Sequence, residues 1–484
     1  MRALLPVGNV LGALLMAFAV TYLLPIATSL IYEDGTAIAF VLAMLIDFAA
    51  GYMLWLATRK HRRDLRPRDG YLLVTLGWLL MAAAASIPLM IALPGLSYTD
   101  VFFETMSGLT TTGSTVIVGL DSLPPAVNLW RHALQWYGGM GIIVLAIAIL
   151  PLLGVGGMQL YRAEMPGAYK DKLTPRITDT AKALWLVYAA ITAACVLALR
   201  LAGMEWFDAV NHAFSAVALG GFSTRDASIG HYNSPAIEVV LIVFMLIAAL
   251  NFRTHFAAWR SRSARIYIGD AEAKALLWVV AASVAVVTVY LWLQGVYPDF
   301  MTALRHVAFN LVSVATTCGY ASADYSPWPA FATFWLLFMS CVTCSTGSTG
   351  NGIKMFRTLM LVQQSGRELR RLIHPQLVSP LRFGAHVVPN AIVYAILAFI
   401  SIYFVSIAGL TFLLMLSGLE LVTSFSAALA WINNIGPGLE HVGPAANYSG
   451  LTTFQKWVGI FAMLAGRLEL FTVFVLFTPA FWRK

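Results

Sequence analysis

The chain has 484 residues, of which 59% are apolar and only 11% are charged, and its formal net charge is +8. A soluble domain is roughly 45–50% apolar and about 25% charged, so this composition excludes a soluble enzyme, a disordered protein and a nucleic-acid binder of the usual kind. One membrane-spanning helix needs about 20 apolar residues, which sets a ceiling of roughly 14 spans. The sequence therefore predicts a polytopic membrane protein, whose positive charge reflects membrane topology.

Ten segments are apolar and long enough to cross a bilayer. In chain order they cover residues 3–32, 37–57, 71–93, 128–155, 183–203, 236–258, 273–296, 329–361, 386–416 and 452–481. The first could be mistaken for a signal peptide, but its apolar run from Ala3 to Tyr32 is too long and no small-residue cleavage site follows it. We therefore expect this segment to be a retained helix.

The loops between these segments are of two kinds, and the first kind is basic. Lysine and arginine are concentrated in residues 58–70, 156–182, 260–265 and 367–382 and in the C-terminal pair 483–484. These basic loops fall on alternate sides of the predicted spans, so all of them face one compartment. The positive-inside rule identifies that compartment as the cytoplasm, and both termini are predicted to lie there.

The second kind of loop comprises residues 94–127, 204–235, 297–328 and 417–451, which are long, poor in lysine and arginine, and unusually apolar. The stretch Phe102–Ser107 resembles a short helix that dips into the membrane, and each loop continues into small or polar residues around a glycine. Non-helical backbone at membrane depth is tolerated only inside protein or beside a water-filled cavity. We therefore predict four re-entrant segments that form the walls of one pore.

The four re-entrant segments align as an internal repeat, in which a serine, or an alanine in the fourth copy, lies six residues before a glycine. The pairs are Ser107–Gly113, Ser215–Gly221, Ser313–Gly319 and Ala430–Gly436, with the glycines 108, 98 and 117 residues apart. Ordinary turns are the alternative, but turns would not need a preceding apolar helix. The fold class is therefore predicted to be all-α, with four span–pore-helix–span repeats around one pore after a two-helix preface. The predicted boundaries are 1–57, 58–165, 166–262, 263–372 and 373–484.

A pore of this kind has a specific chemistry. A K⁺ ion leaves its water shell where backbone carbonyls of an extended segment replace the water oxygens. Glycine tolerates the dihedral angles that such a segment requires, and the short helix before it points its partly negative C-terminal end at the cavity. The predicted K⁺ filter consists of Thr111, Thr112, Gly113, Leu219, Gly220, Gly221, Thr317, Cys318, Gly319, Asn434, Ile435 and Gly436.

The eighth predicted span is interrupted by a run of small and polar residues. The run consists of Ser345, Thr346, Gly347, Ser348, Thr349, Gly350, Asn351 and Gly352. It cannot continue a stable helix, and it lacks the Gly-Lys-Ser/Thr of a phosphate-binding Walker loop. We interpret it as a loop inside the pore, below the filter, that obstructs the path and moves aside. A passive interruption filled by neighbouring helices is the alternative.

Arg467 lies inside the last predicted span, where a buried charge costs several kcal/mol unless it is paired or hydrated. It is predicted either to form a positive barrier beside the pore or to pair with another helix. Pairing with Glu469 is not expected, because residues two apart face different sides of a helix. The other embedded polar residues are expected to form helix–helix hydrogen bonds: Asp47, Asn251, His255 and Asn310.

These residues together resemble the TrkH-like membrane subunits of bacterial Trk potassium-uptake systems, which form a superfamily with the Ktr and plant HKT transporters. The resemblance covers essentially the whole chain. It rests on the residues around the four glycines and on Trp136–Gly141, Lys170–Arg176 and Gly347–Lys354. Arg467 falls where this family carries a pore-facing arginine, residues 345–352 look like its intramembrane gating loop, and the two-helix preface favours Trk over Ktr.

The resemblance implies further properties. Family members are homodimers with one pore per subunit, and a cytosolic ring of nucleotide-binding, TrkA-like subunits opens and closes the pore. The chain would then be a non-enzymatic, channel-like protein of the bacterial inner membrane, with K⁺ bound in the filter and no organic cofactor. The membrane potential would drive uptake, and the basic loops would dock the ring. Plant relatives with serine at the first filter glycine tend to admit Na⁺, so the four glycines present here predict K⁺ selectivity.

Two other functions are alternatives. A proton- or sodium-coupled potassium symporter usually needs a relay of acidic or histidine side chains in its spans. The evident candidates, Asp47, Glu104, His212 and Glu420, form no chain in the sequence. A membrane-embedded transferase would need clustered carboxylates, a metal site or an activated nucleophile, and the sequence has no such cluster.

Overall fold

The computed structural model describes residues 5–61, 66–144, 177–384 and 386–483. Within these ranges the regular structure is helical, apart from one antiparallel pair of two-residue strands, β1 (Arg382–Phe383) and β2 (His386–Val387). The predicted all-α architecture is confirmed. Most of the predicted basic loop 156–182, including Lys170–Arg176, lies outside the described residues.

The N-terminal preface is a helical hairpin. Helix α1 (Leu5–Ala19) continues through a single 3₁₀ turn into α2 (Leu23–Tyr32), and α3 (Ala37–Thr58) returns beside them. The two sides of the hairpin approach closely at Gly12 and Gly51. A Cβ atom on Gly12 would lie only 2.8 Å from the carbonyl oxygen of Gly51. Small residues at a helix crossing permit such backbone contact in a membrane, where packing rather than hydrophobic burial holds helices together.

The variant Gly12→Val is expected to separate the two sides of the preface and to lower thermal stability. Forcing a side chain into a filled crossing typically lowers the free energy of unfolding by about 1–3 kcal/mol. The thermal unfolding midpoint of the purified protein in detergent measures the effect. Gly409→Val is the matched control, because Gly409 also lies in a long apolar helix but a Cβ there meets nothing within 4 Å. Equal midpoints for the two variants would contradict a requirement for close packing.

Four units of the same design follow the preface, each with a first helix, a short helix and a second helix. The first unit contains α4 (Pro67–Ala92), α5 (Tyr98–Leu109) and α6 (Pro125–Val144). The second contains α7 (Ile177–Leu201), α8 (Trp206–Ala218), α9 (Pro235–Ala249), α10 (Phe252–Ser261) and α11 (Arg265–Gly269). The third contains α12 (Ala271–Leu293), α13 (Phe300–Ala315), α14 (Ala330–Val342) and α15 (Met355–Ile373). The fourth contains α16 (Asn390–Leu416), α17 (Leu421–Ile432), α18 (Thr453–Arg467), α19 (Phe471–Phe474) and α20 (Pro479–Trp482).

The short helices α5, α8, α13 and α17 correspond to the predicted pore helices. They have 12, 13, 16 and 12 residues. At a rise of 1.5 Å per residue, they are roughly 18–24 Å long, which is less than the approximately 30 Å hydrocarbon core of a bilayer. Their C-terminal halves are buried. These helices therefore dip into the protein interior and end there.

Two predicted spans are wrong as continuous helices. The predicted span 236–258 is bent by 96° between α9 and α10, and the predicted span 452–481 is bent by 110° between α18 and α19. At the first bend, Asn251 caps α10 by accepting a hydrogen bond from the Arg253 backbone N–H. At the second bend, Glu469 and Leu470 adopt positive φ angles, which interrupts the helix. Arg467 is consequently the last residue of α18 and does not lie in mid-span.

Helix length and composition identify which helices can cross a membrane. Among the described residues, six helices are long and apolar enough to cross a membrane. The pairs 235–261 and 453–477 are long and apolar enough when each bent pair is taken together. The predicted total of ten spans and the boundaries of the five predicted units stay predictions.

Candidate functional site

The segments that follow the four short helices share one backbone conformation. The residue two before each predicted filter glycine has a positive φ, with 53° at Thr111, 55° at Leu219, 62° at Thr317 and 50° at Asn434. The glycines themselves have φ values of 85° at Gly113, 77° at Gly221, 88° at Gly319 and 99° at Gly436. Left-handed conformations are uncommon for residues with a side chain. The internal repeat read from the sequence is therefore present in the backbone angles.

Each short helix ends in the same hydrogen bond, which explains the spacing of six residues. The N–H of the residue before the glycine donates to a carbonyl five residues earlier in the chain. The pairs are Thr112–Ser107, Gly220–Ser215 and Cys318–Ser313 at 2.8 Å, and Ile435–Ala430 at 2.9 Å. This is the usual termination of a helix by a left-handed residue. Because the acceptor is a backbone carbonyl, Ala430 serves in the fourth repeat as well as serine does in the others.

The four segments surround one axis and touch in the order of the chain. A Cβ atom on Gly436 would lie 2.8 Å from the carbonyl oxygen of Thr112, which joins the fourth segment to the first. The other glycines would collide in the same way with the carbonyl of the next segment: Gly113 with Gly220, Gly221 with Cys318, and Gly319 with Ile435. The ring therefore leaves no room for a side chain at any of its four glycines.

An open cavity lies at one end of this ring, at its mouth, and is lined by all four glycines. Two cationic side chains, Arg131 and Arg225, also line it. Arg131 forms an ion pair with Glu104 at 2.8 Å, and Arg225 forms one with Asp208 at 3.0 Å. The positive charge at this mouth is therefore balanced by carboxylates.

Asp121, in the loop beside the same mouth, also contacts Arg225, at 3.5 Å. Burial raises the pKa of Asp121, but hydrogen bonds from the Asp226 backbone N–H and from Arg225 outweigh burial and hold this pKa below its usual value. Its carboxyl is therefore ionised at neutral pH and adds to the negative charge around the cavity.

The loop 345–352 contacts the ring from within the protein. Its interruption of the helix is longer than predicted, because α14 ends at Val342 and α15 begins at Met355. The Thr349 hydroxyl donates to the carbonyl of Val217 at 3.0 Å, at the end of the second short helix. The Asn351 N–H donates to the hydroxyl of Thr317 at 3.1 Å, inside the predicted filter. The loop therefore lies directly against the end of the second short helix and the first residue of the third filter segment.

The same loop is joined to the bend between α9 and α10. The Phe252 N–H donates to the carbonyl of Gly347 at 3.1 Å, and the Ser345 N–H donates to that of Ala249 at 3.0 Å. The backbone groups freed by each break in a helix thus satisfy one another. The bend and the loop form one structural feature.

Arg467 is fully buried and binds the loop 345–352 through its guanidinium. Its guanidinium donates to the carbonyl of Thr349 at 2.9 Å and to that of Gly138, on α6, at 3.0 Å. Glu469 instead pairs with Arg357, at 2.7 Å. Arg467 is thus bonded to backbone dipoles of a loop and a helix, and it borders a small pocket that is also lined by Asn351, Lys354 and Glu469, among others.

Three of the four polar residues singled out as proton-relay candidates have local partners. Asp47 accepts a hydrogen bond from Tyr22, between two helices of the preface. Glu104 and His212 bond to the segments that follow their own short helices, and Glu420 is exposed at the start of α17. The helix–helix hydrogen bond expected for Asp47 is present, and these three contacts do not connect the candidates to one another.

Two residues of the ring's surroundings were missed by the sequence reasoning. The amide of Gln135 donates to the carbonyl of Gly220 at 2.6 Å and accepts from the N–H of Phe222 at 3.2 Å, so it binds both sides of Gly221. Arg131 lies inside the predicted span 128–155, where a charge is itself a signal of function. Gln135 has no comparable signal, except that it immediately precedes the motif Trp136–Gly141.

Comparison with known proteins gives a consistent result. A family model described as cation transport protein, TrkH, matches residues 37–484. The Trk system potassium uptake protein TrkH of Halomonas elongata is 48% identical over 98% of both chains, and that of Escherichia coli K12 is 44% identical over 99% of both. The crystal structure of the potassium transporter TrkH from Vibrio parahaemolyticus matches with a TM-score of 0.91 and 42% identity, covering 100% of this chain and 99% of that chain.

Proposed function

Because the chain belongs to the TrkH family of cation transport proteins, whose members are transporter subunits and not enzymes, we propose that it carries K⁺ through the ring of four glycine segments. Uptake is across the bacterial inner membrane, with both termini in the cytoplasm, and the inside-negative membrane potential drives it. The observation that carries this proposal is the closed contact of four backbone segments, each ending a short helix within the protein. Two relatives are named as potassium uptake proteins of Trk systems.

In this proposal the filter residues act through their backbone. Carbonyls of Thr111, Thr112 and Gly113, and of the equivalent residues in the other three segments, replace the water around a bound K⁺ ion. The C-terminal ends of the four short helices add a partly negative potential at the same axis. K⁺ is the transported substrate and is bound by uncharged oxygens, which agrees with the low charge content of the chain.

The loop 345–352 is the proposed gate. It lies against Thr317 on one side and is held by Arg467 on the other, so it occupies the path beside the ring. Helix α15 follows it and carries Arg370 and Arg371 in its last turn. A cytosolic, nucleotide-binding ring of TrkA-like subunits, docked on the basic loops of a homodimer, would move α15 and with it the loop.

Flux measurements in liposomes test the proposed function. Purified protein should conduct K⁺ in preference to Na⁺, with a reversal potential that follows the K⁺ gradient and does not change with pH. A reversal potential that shifts with the proton or sodium gradient would instead establish a coupled symporter. The local hydrogen bonds of Glu104 and His212 favour the uncoupled mechanism, because neither side chain is part of a relay among the described residues.

The variant Arg467→Gln is expected to raise K⁺ flux in the absence of the cytosolic partner. The substitution removes the charge that binds the carbonyl of Thr349, and a hydrogen bond to a charged group contributes about 1.5–3 kcal/mol. The population ratio of closed to open states should therefore fall by roughly tenfold or more. Arg200→Gln is the control, since Arg200 is an exposed arginine at the end of α7. Equal flux from both variants, each monodisperse in detergent, would contradict the proposed role of Arg467.

A further inference from the structure

The residue nine positions before each filter glycine has a common place in the structure. It lies on the short helix and faces the segment just beyond the glycine in the same repeat. In the second repeat, His212 Nε2 is 3.0 Å from the hydroxyl of Ser223. In the third, Asn310 Oδ1 accepts from the Ser322 N–H at 3.1 Å. These side chains fix the outer end of the filter segment to the helix that precedes it.

The first repeat uses a carboxylate at this position. Glu104 accepts from the N–H of Val116 at 2.9 Å and from the hydroxyl of Thr115 at 3.0 Å. The fourth repeat has Ala427 there, which cannot make the contact, and Ser426 accepts from the Leu439 N–H instead. Among the four repeats, the first is thus the one with a carboxylate nine residues before the filter glycine.

Glu104 is neutralised by Arg131, which reaches from α6. The two side chains are 2.8 Å apart and each is 1% exposed. Arg131 also donates to the carbonyl of Ser223 at 3.4 Å, and its guanidinium lies 4.2 Å from the ring centre of Phe222. Ser223 and Phe222 directly follow Gly221, so this ion pair joins the first filter segment to the second.

A purely structural role does not account well for this pair. Burying two charges carries a desolvation penalty that neutral side chains avoid, and neutral residues already serve at this position in the second and third repeats. Arg131 also lines the cavity at the mouth of the ring. Its charge is therefore close to the path of an entering cation, and Glu104 compensates it there.

We propose that the Glu104–Arg131 pair determines ion selectivity by positioning the first and second filter segments relative to each other. Glu104 fixes the outer end of the first segment, and Arg131 fixes the distance to the second. A K⁺ site discriminates against Na⁺ only while its carbonyls keep their number and spacing. Both are positioning residues, since neither contacts the ion, and the proposal rests on the proposed function of the ring as a K⁺ filter.

The variant Glu104→Gln tests the proposal, because it keeps the size and the acceptor oxygen of the side chain while it removes the charge. We expect the K⁺/Na⁺ permeability ratio to fall by about tenfold, the change that ~1.4 kcal/mol of lost discrimination produces. We also expect K⁺ flux to fall, because the charge of Arg131 is left uncompensated beside the path of an entering cation. A double variant, Glu104→Gln with Arg131→Gln, should restore the flux but keep the low ratio.

Glu238→Gln is the matched control. Glu238 is a buried carboxylate on α9 that pairs with Arg305 on α13 at 2.7 Å, and neither residue belongs to a filter segment. Its permeability ratio should equal that of the unmodified protein. If Glu104→Gln does not fold, Arg131→Lys decides the question, because lysine keeps the charge but loses the fork that joins Glu104 to Ser223. An unchanged ratio in whichever variant folds overturns the proposal.

The variant Gly113→Ser distinguishes an error in the proposed role of the ion pair from an error in the assignment of the filter. If Gly113→Ser lowers the ratio and Glu104→Gln leaves it unchanged, the filter stands and the role of the ion pair is wrong. If both variants leave the ratio unchanged, the filter assignment itself is wrong. A reduced ratio in both variants, with Glu238→Gln unaffected, supports the pair as a determinant of selectivity.

Discussion

Gly113→Ser is expected to reduce the K⁺/Na⁺ permeability ratio by about tenfold or more, since ~1.4 kcal/mol of lost discrimination is sufficient for a tenfold change. Gly113 has a φ of 85°, and a Cβ atom there would collide with the carbonyl of Gly220 in the next segment. The serine must therefore displace a carbonyl of the ring, and the spacing of these carbonyls is what distinguishes the two ions. Reversal potentials under bi-ionic conditions, with purified protein in planar bilayers, measure the ratio.

The matched control for this variant is Gly119→Ser. Gly119 has a similar φ, 78°, but the nearest neighbour of its added Cβ would be the Ser122 hydroxyl at 3.4 Å. Both substitutions place a serine at a similar positive φ, and only Gly113→Ser places an atom against the ring. A ratio that is unchanged in Gly113→Ser, or reduced equally in Gly119→Ser, would contradict the assignment of the filter.

The fold and the ring could be predicted from the sequence because their determinants are local. Apolar runs report burial in a membrane directly, and the spacing between Ser107 and Gly113 reports how a short helix ends. The structure gives the physical reason for that spacing, which is one backbone hydrogen bond, from Thr112 to Ser107 in the first repeat. The family resemblance that rested on these motifs is confirmed by the match over residues 37–484.

The bends and the buried partners could not be predicted in the same way. The mean hydropathy of each segment stays high across the break, despite the polar Asn251 and Glu469, so composition alone indicates one uninterrupted span in each case. The bend at Asn251 depends on Gly347, which lies almost one hundred residues further along the chain. Likewise, Arg131 is visible in the sequence as a charge within a span, but its partner Glu104 is identified only by three-dimensional proximity.

Deletion of Gly347, Ser348 and Thr349 is expected to increase K⁺ flux strongly when the cytosolic partner is absent. The deletion removes the carbonyl that binds Arg467 and the hydroxyl that bonds to Val217, two of the contacts that hold the loop against the ring. One of these hydrogen bonds involves a charged group, and together the two contribute about 2–4 kcal/mol. The population ratio of closed to open states should therefore fall by more than tenfold. Flux into K⁺-depleted liposomes, normalised to the amount of reconstituted protein, is the measurement.

The point variant Thr349→Val should produce the same change in a weaker form, because it removes the hydroxyl contacts to Val217 and Ala248 and keeps the carbonyl that binds Arg467. Thr358→Val is its control: Thr358 lies in α15, and its hydroxyl donates to the carbonyl of Lys354, four residues earlier in the same part of the chain. A passive interruption predicts that deletion, Thr349→Val and Thr358→Val all give the basal flux. A gate predicts that flux rises in the order Thr358→Val, Thr349→Val, deletion, while the K⁺/Na⁺ ratio stays constant, because the carbonyls of the filter remain in place.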